Sequence, residues 1–177
     1  MIDSMNDPRN LIDAYKGMEI KDIVDDLDGN GVELEIAVEN LNRDYNMGTI
    51  VRSANAFGVR NIHVIGRRQW NKRGAMMTDK YLHIHYHSTI DAFIEATRGK
   101  TLIAIDNTPG AVLLADTTLP PTSLLIFGAE GPGISAELRE KCQKTVAIEQ
   151  FGSTRCVNVG VAAGIAMYEW LRQNVLS

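Results

Sequence analysis

The sequence predicts an α/β domain built on a largely parallel β-sheet flanked by helices. Strand-like and helix-like segments alternate along the chain, and parallel strands need crossover connections of this kind. Short apolar runs that end near a glycine alternate with segments whose apolar residues recur at helical spacing. The chain has 177 residues, of which 45% are hydrophobic, and this is enough for one domain with a full core.

Local patterns define the individual elements in order. ELEIAVEN (33–40) alternates polar and apolar residues as a strand does, and MGTIVRSANAFG (47–58) has helical spacing before a glycine stop. The same reasoning predicts strands at NIHVIG, KTLIAIDN, SLLIFG and KTVAIEQ. It predicts helices at STIDAFIEATRG, ISAELREKCQ and the segment after Cys156. The segment AVLLADTTLPPT is a connection of undefined form.

The last helix is rich in small residues that allow another backbone to come close. Its larger apolar residues recur at i, i+4, i+8 and i+11, which predicts a stripe facing the core. That stripe consists of Val157, Val161, Ile165 and Tyr168.

Residues 1–31 are predicted to form a helical extension, and 32–177 the main domain. The turn cluster DGNG (28–31) separates the two. No apolar run approaches the roughly 20 residues that span a bilayer, and the polar start does not resemble a signal peptide. The two cysteines, Cys142 and Cys156, are too few for a disulfide framework, which favours a cytoplasmic protein without a membrane partner.

A net charge of −4 argues against a nucleic-acid partner for the chain as a whole, yet basic residues cluster locally. In GRRQWNKRG, Arg67, Arg68, Lys72 and Arg73 surround Trp70. Cations contact phosphates and an indole can stack on a base, so this pattern indicates an RNA-contacting loop. The alternative is a solvated loop with Trp70 packed inward.

Three histidines, His83, His85 and His87, alternate along the chain and would share one face of a strand. Three such side chains could bind a metal ion. A solvated strand face is the preferred interpretation, and no metal site is predicted.

Three polar stretches lie where strands pass into helices, the region in which open parallel sheets bind their ligands. NMGTIVRSANAFG places Asn46 at a helix cap and turns Arg52 away from the apolar face. FGAEGPGIS carries Glu130 among three glycines, and it is neither a Walker A loop nor GxGxxG. AIEQFGSTRCVNVGVAA crowds polar residues before a tract of small ones.

In this order, the three stretches resemble the motifs of the SpoU/TrmH family of SPOUT RNA methyltransferases, over roughly Glu33 to Leu171. The resemblance implies a homodimer whose C-terminal segment forms a deep trefoil knot, an exception to the rule of unknotted chains. It also implies S-adenosylmethionine as cofactor and methyl transfer to a ribose 2′-hydroxyl of tRNA or rRNA.

The same resemblance implies roles for individual residues. The family's catalytic positions are matched by Arg52, Asn46, Glu130 and Asn158. The cofactor is expected against Ile105, Gly128, Ile148, Cys156 and Val157. Three departures from the family pattern concern this cofactor region: Cys156 replaces a serine, Val157 replaces a leucine, and Glu149 and Gln150 stand near a usual Pro-Met pair.

Two other interpretations compete with an RNA methyltransferase. One is a non-catalytic RNA-binding or assembly module that keeps the same fold. The other is a flavodoxin-like nucleotide-binding protein, whose chain would be unknotted.

Overall fold

The computed structural model describes residues 7–40, 46–128 and 132–176. The α-helices in these ranges are α1 (Ile20–Asn30), α2 (Met47–Ala56), α3 (Ile90–Ala96), α4 (Ala136–Glu140) and α5 (Val159–Asn174). The strands are β1 (Glu35–Asn40), β2 (Asn61–Gly66), β3 (His83–His87), β4 (Thr101–Ile105), β5 (Val112–Leu113), β6 (Ser123–Phe127) and β7 (Lys144–Ala147). Short 3-10 helices cover Asp13–Tyr15, Lys72–Ala75, Thr78–Lys80 and Leu114–Asp116.

The strands form one sheet in the order β3-β2-β1-β6-β4-β7-β5, and every strand pair is parallel. This confirms the predicted α/β class with a parallel sheet. The structure adds β5, a two-residue edge strand in the connection whose form the sequence left undefined. Because all strands run the same way, their carboxyl ends lie along one edge of the sheet.

Apolar side chains cover both faces of the sheet. On one face Val38, Ile62 and Leu125 pack with residues of α2 and α5, and on the other Ala37 and Ile126 pack with residues of α3 and α4. Strand β6 is buried along its whole length. A strand covered on both faces is expected to be apolar rather than alternating, as β6 is after its first residue, Ser123.

The expected core stripe of the last helix is wrong. Val161, Ile165 and Tyr168 are 52%, 40% and 53% exposed, while Ala163 and Ala166 of α5 are fully buried. The inner face of α5 carries Met167, Trp170 and Leu171 together with small residues, and it packs into the core. Val161, Ile165 and Tyr168 lie on the opposite side of the helix.

The predicted turn at DGNG is also wrong, because α1 continues through Asn30 and Gly31 follows it as the C-cap. The Asp28 carboxylate accepts hydrogen bonds from Arg60 Nε (2.8 Å) and lies 2.9 Å from His83 Nε2. Arg60 directly precedes β2, and His83 is the first residue of β3. DGNG would favour a turn in isolation, but its contacts with the starts of two strands stabilise the helical form. In the described part of the chain, no helix is both long and apolar enough to cross a bilayer.

Candidate functional site

Four neighbouring strands end together at the edge of the sheet where the candidate site lies. In the order β1-β6-β4-β7, β6 leads into Gly128, β4 ends at Ile105, and β7 is followed by Ile148. Ile105 pairs in register with Phe127 and with Val146. The sheet therefore brings Ile105, Gly128 and Ile148, three expected cofactor positions, to one end of three adjacent strands.

Gly128 lies where the chain leaves β6 and doubles back on itself. It is buried, and a Cβ built on it would collide with the backbone of Gly133 and Ile134. Only glycine fits such a close approach of two backbone segments. Ile105 is 8% exposed and Ile148 is half-buried, so both present apolar surface beside this turn. Glu130, the acid of this motif, lies outside the described residues.

Asn46 and Asn158 lie against each other at the starts of two helices. Asn46 is the N-cap of α2, and its Oδ1 accepts a hydrogen bond of 2.8 Å from Asn158 Nδ2. Asn158 is the N-cap of α5, and its Oδ1 accepts from the backbone N–H groups of Gly160 and Val161. One amide thus caps α5 and binds the beginning of α2.

Helices α2 and α5 run side by side in the same direction. Thr49 of α2 lies against Gly160 of α5, because a Cβ on that glycine would come within 3.1 Å of the threonine methyl. Further along, the rings of Phe57 and Tyr168 are 6.3 Å apart. Arg52 is exposed and follows Thr49 by one helical turn, on the same side of α2. Arg52 therefore lies one turn beyond the contact between Thr49 and Gly160.

The segment between β7 and α5 is exposed and linked to the end of β4. Phe151 is 98% exposed, Cys156 is exposed and Val157 is half-buried. Asn107 Nδ2 donates to the carbonyl oxygen of Arg155 at 2.9 Å, which holds this segment beside Ile105. The polar residues ahead of Asn158 thus belong to a loop, and Asn158 alone caps the helix.

The two cysteines have different surroundings. Burial raises the pKa of the Cys142 thiol to about 11, so the group stays protonated at neutral pH. Cys156 is exposed, in the loop ahead of α5.

The basic loop, 67–73, begins at the end of β2, and Gly74 and Ala75, which follow it directly, pack against the start of α2. A Cβ on Gly48 would come within 2.7 Å of Ala75 N and 2.8 Å of Gly74 Cα, so the backbones touch there. The guanidinium of Arg68 lies 4.6 Å from the centre of the Tyr86 ring. The loop is therefore anchored beside the helix that carries Asn46 and Arg52.

Two side chains of the loop are already engaged within the protein. Lys72 Nζ lies 2.8 Å from Asp79 Oδ2 and 5.5 Å from the centre of the Trp70 ring. Trp70 is half-buried and its indole N–H donates to the Tyr86 hydroxyl at 3.4 Å. Arg67 and Arg73 are exposed and form no ion pair with the described residues. These two arginines are the cations most available to a partner.

The histidine-rich face of β3 forms a hydrogen-bonded cluster with β1 and β2. His63, 5% exposed, lies 2.9 Å from both His87 Nε2 and Glu35 Oε2, and its ring stacks 5.0 Å from that of His85. Burial, and then the charge of His63, lower the pKa of His87. No group of side chains in 7–40, 46–128 and 132–176 has the arrangement of a metal site.

Sequence analysis missed two residues at the end of β1, Glu39 and Asn40. Both are buried, at 2% and 0% exposure. Glu39 accepts a hydrogen bond from the backbone N–H of Ser135, and Asn40 donates to the carbonyl oxygens of Arg67 and Gln69. A carboxylate and an amide at the carboxyl end of a strand were the available signal.

Comparison with known proteins agrees with the motifs. A profile of the SpoU rRNA Methylase family matches residues 33–168. An uncharacterized tRNA/rRNA methyltransferase of Mycolicibacterium gilvum is 30% identical over 153 residues, which are 81% of this chain and 48% of the relative. The tRNA (guanosine(18)-2′-O)-methyltransferase of Escherichia coli is 23% identical over 146 residues, 80% of this chain and 64% of the relative. The chain spans about half the length of the first of these relatives.

Solved structures share the fold. The TrmH/SpoU tRNA modifying enzyme of A. aeolicus superposes with a TM-score of 0.76 at 25% identity, covering 87% of this chain and 81% of that one. The SpoU methyltransferase AviRb of Streptomyces viridochromogenes, in complex with AdoMet, gives 0.68 at 27% identity, covering 80% and 57%. The flavodoxin-like interpretation is therefore wrong, and the chain belongs to the SpoU/TrmH family of SPOUT RNA methyltransferases.

Proposed function

We propose that the protein methylates a ribose 2′-hydroxyl of tRNA or rRNA with S-adenosylmethionine as the methyl donor. The observation that carries the proposal is the hydrogen bond between Asn46 and Asn158, which joins two helix starts beside the exposed Arg52. Family membership and the name of the E. coli relative, a tRNA (guanosine(18)-2′-O)-methyltransferase, support this reaction class.

The residues at the strand ends fit the cofactor. Ile105, Ile148 and Val157 offer apolar surface for an adenine ring, beside the closely packed backbones of Gly128 and Gly133. The AviRb structure, which shares the fold, contains AdoMet. When bound, S-adenosylmethionine supplies an electrophilic methyl group on a sulfonium centre. Cys156, exposed in the same region, is a weaker hydrogen-bond donor than the serine it replaces.

Arg52 acts on the ribose hydroxyl through its charge. A guanidinium group stays protonated in proteins, so it does not serve as a base. A fixed positive charge beside the hydroxyl stabilises the alkoxide that develops as the oxygen attacks, and so favours loss of the proton. The paired Asn46 and Asn158 fix the starts of α2 and α5, and thereby the position from which Arg52 reaches the substrate. Glu130 is assigned to the same site through the family motif.

The basic loop is the proposed RNA contact. It leads directly into Gly74 and Ala75, which pack against the start of α2, and it carries the exposed Arg67 and Arg73, next to Arg68 and Lys72. Phosphate groups of an RNA backbone bind such cations without sequence preference. Trp70 is half-buried and bonded to Tyr86, so it supports the loop more than it offers a free stacking surface.

We extend the proposal to a homodimer with a C-terminal knot. Val161, Ile165 and Tyr168 form an exposed apolar stripe on α5, beside a cavity of about 410 Å³. Such a stripe suits a second copy of the chain. Insertion of β7 between the earlier strands β4 and β5 supports the knot. We assign 1–31 as an extension of the 32–177 domain, and we place the reaction in the cytoplasm.

Mapping of 2′-O-methyl nucleosides tests the proposed reaction. Total tRNA and rRNA from cells with and without the gene are digested and compared by mass spectrometry, and the missing position is restored in vitro with the purified protein and S-adenosylmethionine. Arg52→Ala should bind the cofactor normally and lose most methylation. If no nucleoside changes and calorimetry detects no cofactor binding, the proposal fails in favour of a non-catalytic RNA-binding module.

A further inference from the structure

We propose that Glu39 and Asn40, two consecutive residues at the end of the central strand β1, are positioning residues. Separately, they hold the cofactor turn, meaning Ile134 and Ser135 beside Gly128, and the basic loop. The inference rests on the proposed function for what each loop binds. Successive residues of a strand point to opposite faces of the sheet. Glu39 therefore reaches one of the two loops and Asn40 the other.

Glu39 holds the end of the turn that follows β6. Its Oε2 accepts a 2.7 Å hydrogen bond from Ser135 N, at the start of α4. On the other side of β6, Asp106 Oδ2 accepts from the preceding N–H, that of Ile134, at 3.3 Å. Because β6 lies between β1 and β4, carboxylates from both neighbouring strands bracket the turn that begins at Gly128.

Asn40 holds the beginning of the basic loop on the opposite face. Its Nδ2 donates to Arg67 O at 2.6 Å and to Gln69 O at 3.2 Å, and its own carbonyl accepts from Arg67 N at 2.9 Å. The side chain is fully buried. Among the described residues no donor reaches its Oδ1, so the Asn40 side chain holds the loop through its amide N–H groups.

The chemistry of the two side chains explains why each residue type is needed. A carboxylate accepts strongly from backbone N–H groups at a helix start, and it has no donor to offer a carbonyl. An amide supplies the two N–H donors that face two carbonyl oxygens in the basic loop. A carboxylate at position 40 would place acceptors against the two carbonyl oxygens, so the order of the two residues matters there.

Two variants test the separation. Glu39→Ala should weaken S-adenosylmethionine binding on the order of tenfold, the size expected for a lost charge-assisted hydrogen bond, and leave tRNA affinity unchanged. Asn40→Asp, which turns two donors into acceptors, should weaken binding of unfractionated tRNA by a similar factor and leave cofactor affinity unchanged. Glu39→Gln keeps an acceptor of the same length and should recover most cofactor affinity.

Glu35→Gln is the matched control, since Glu35 lies on the same face of β1 at its other end and bonds only to His63 and Lys100 among the described residues. It should alter neither affinity. Calorimetry with S-adenosylmethionine and filter binding with unfractionated tRNA give the two constants. Equal losses of both affinities in either variant, or no loss in both, would overturn the separation.

Hydrogen exchange in the ligand-free protein distinguishes failure of this inference from failure of the proposed function. Glu39→Ala should accelerate exchange at the amides of Ile134 and Ser135, and Asn40→Asp should do so at 67–74. If the wild-type protein binds no cofactor but these local effects appear, the two residues do hold their segments, and the assigned reaction is wrong. If exchange rises everywhere or nowhere, the two residues do not hold the loops.

Discussion

Asn158 combines two structural tasks, and two substitutions separate them. Its Oδ1 accepts from Gly160 N at 2.9 Å and from Val161 N at 3.3 Å, while its Nδ2 donates to Asn46 Oδ1 at 2.8 Å. Serine at this position still caps a helix but is too short to reach Asn46. Alanine loses both interactions. Comparing Asn158→Ser with Asn158→Ala therefore isolates the bond between the two helix starts.

The expected losses of stability follow from these bonds. An N-cap side chain contributes about 1 kcal/mol relative to alanine, and an exposed hydrogen bond about 0.5–1 kcal/mol. The free energy of unfolding should fall by about 1.5–2 kcal/mol in Asn158→Ala and by about 0.5–1 kcal/mol in Asn158→Ser. For a domain of this size, Tm should drop by about 3–8 °C and about 1–4 °C respectively.

Methyl transfer should respond differently from stability. If the bond aligns Arg52 with the substrate, both variants lose activity to the same extent, by about tenfold or more, because small misplacements are costly in catalysis. Thr89→Ala is the control, since it removes the side-chain cap of α3, 3.2 Å from Ala92 N, away from the site. It should lower Tm and spare activity. Full activity in Asn158→Ser beside an inactive Asn158→Ala would show that the cap matters and the bond does not.

Three further predictions concern packing, charge and pH. Gly48→Ala should destabilise the protein by about 1–3 kcal/mol in chemical denaturation, because its Cβ would meet the backbone of Gly74 and Ala75. Gly29→Ala, in open space within α1, should stabilise it by about 0.5–1 kcal/mol. Equal effects of the two substitutions would contradict the close contact at Gly48. Arg73→Ala should reduce the slope of log affinity for RNA against log salt concentration by about one. Lys72→Ala should reduce it by less, since the lysine is already paired with Asp79. The reverse order in filter binding would exclude Arg73 as the more available cation. Burial and a neighbouring histidine lower the pKa of His87 in the folded protein. As the pH falls below about 6.5, the unfolded chain therefore binds more protons than the folded protein does. Thermal melts should show stability falling as the pH drops through this range, with a shallower fall in His87→Gln, and an identical profile for the variant would rule His87 out.

The parallel sheet could be predicted from the sequence because its signals are local. Each strand is a short apolar run and each connection has helical spacing, so element types follow without knowledge of the fold. Helix caps could be predicted in the same way: the sequence offers Ser88 or Thr89 before one helix and Ser135 before another. In the structure, Thr89 and Ser135 accept hydrogen bonds from backbone N–H groups of those helices. The positions of Asn46 and Arg52 on α2 also follow from helical periodicity.

Features set by distant partners could not be predicted in the same way. Periodicity identifies an apolar stripe on α5 but not the element it faces, and here the buried side is the opposite one, with Ala163, Met167 and Trp170. The end of α1 depends on Arg60 and His83, which are more than 30 residues away in sequence. The tasks of Glu39 and Asn40 depend on loops that follow other strands, so only the assembled sheet reveals them.

The distribution of charge removes the apparent conflict between an acidic protein and the proposed RNA substrate. The acidic helix α1 ends against Arg60 and His83, at the amino ends of β2 and β3, whereas the basic loop leaves the carboxyl end of β2. A parallel sheet thus separates the two charge clusters by the length of a strand, roughly 20 Å for six residues. This distance exceeds the Debye length of about 8 Å at physiological ionic strength, so the acids are screened from the site. The exposed cations Arg52, Arg67 and Arg73 lie nearer the carboxyl edge than the acids of α1 do, so the net charge of −4 does not describe the surface proposed to meet RNA.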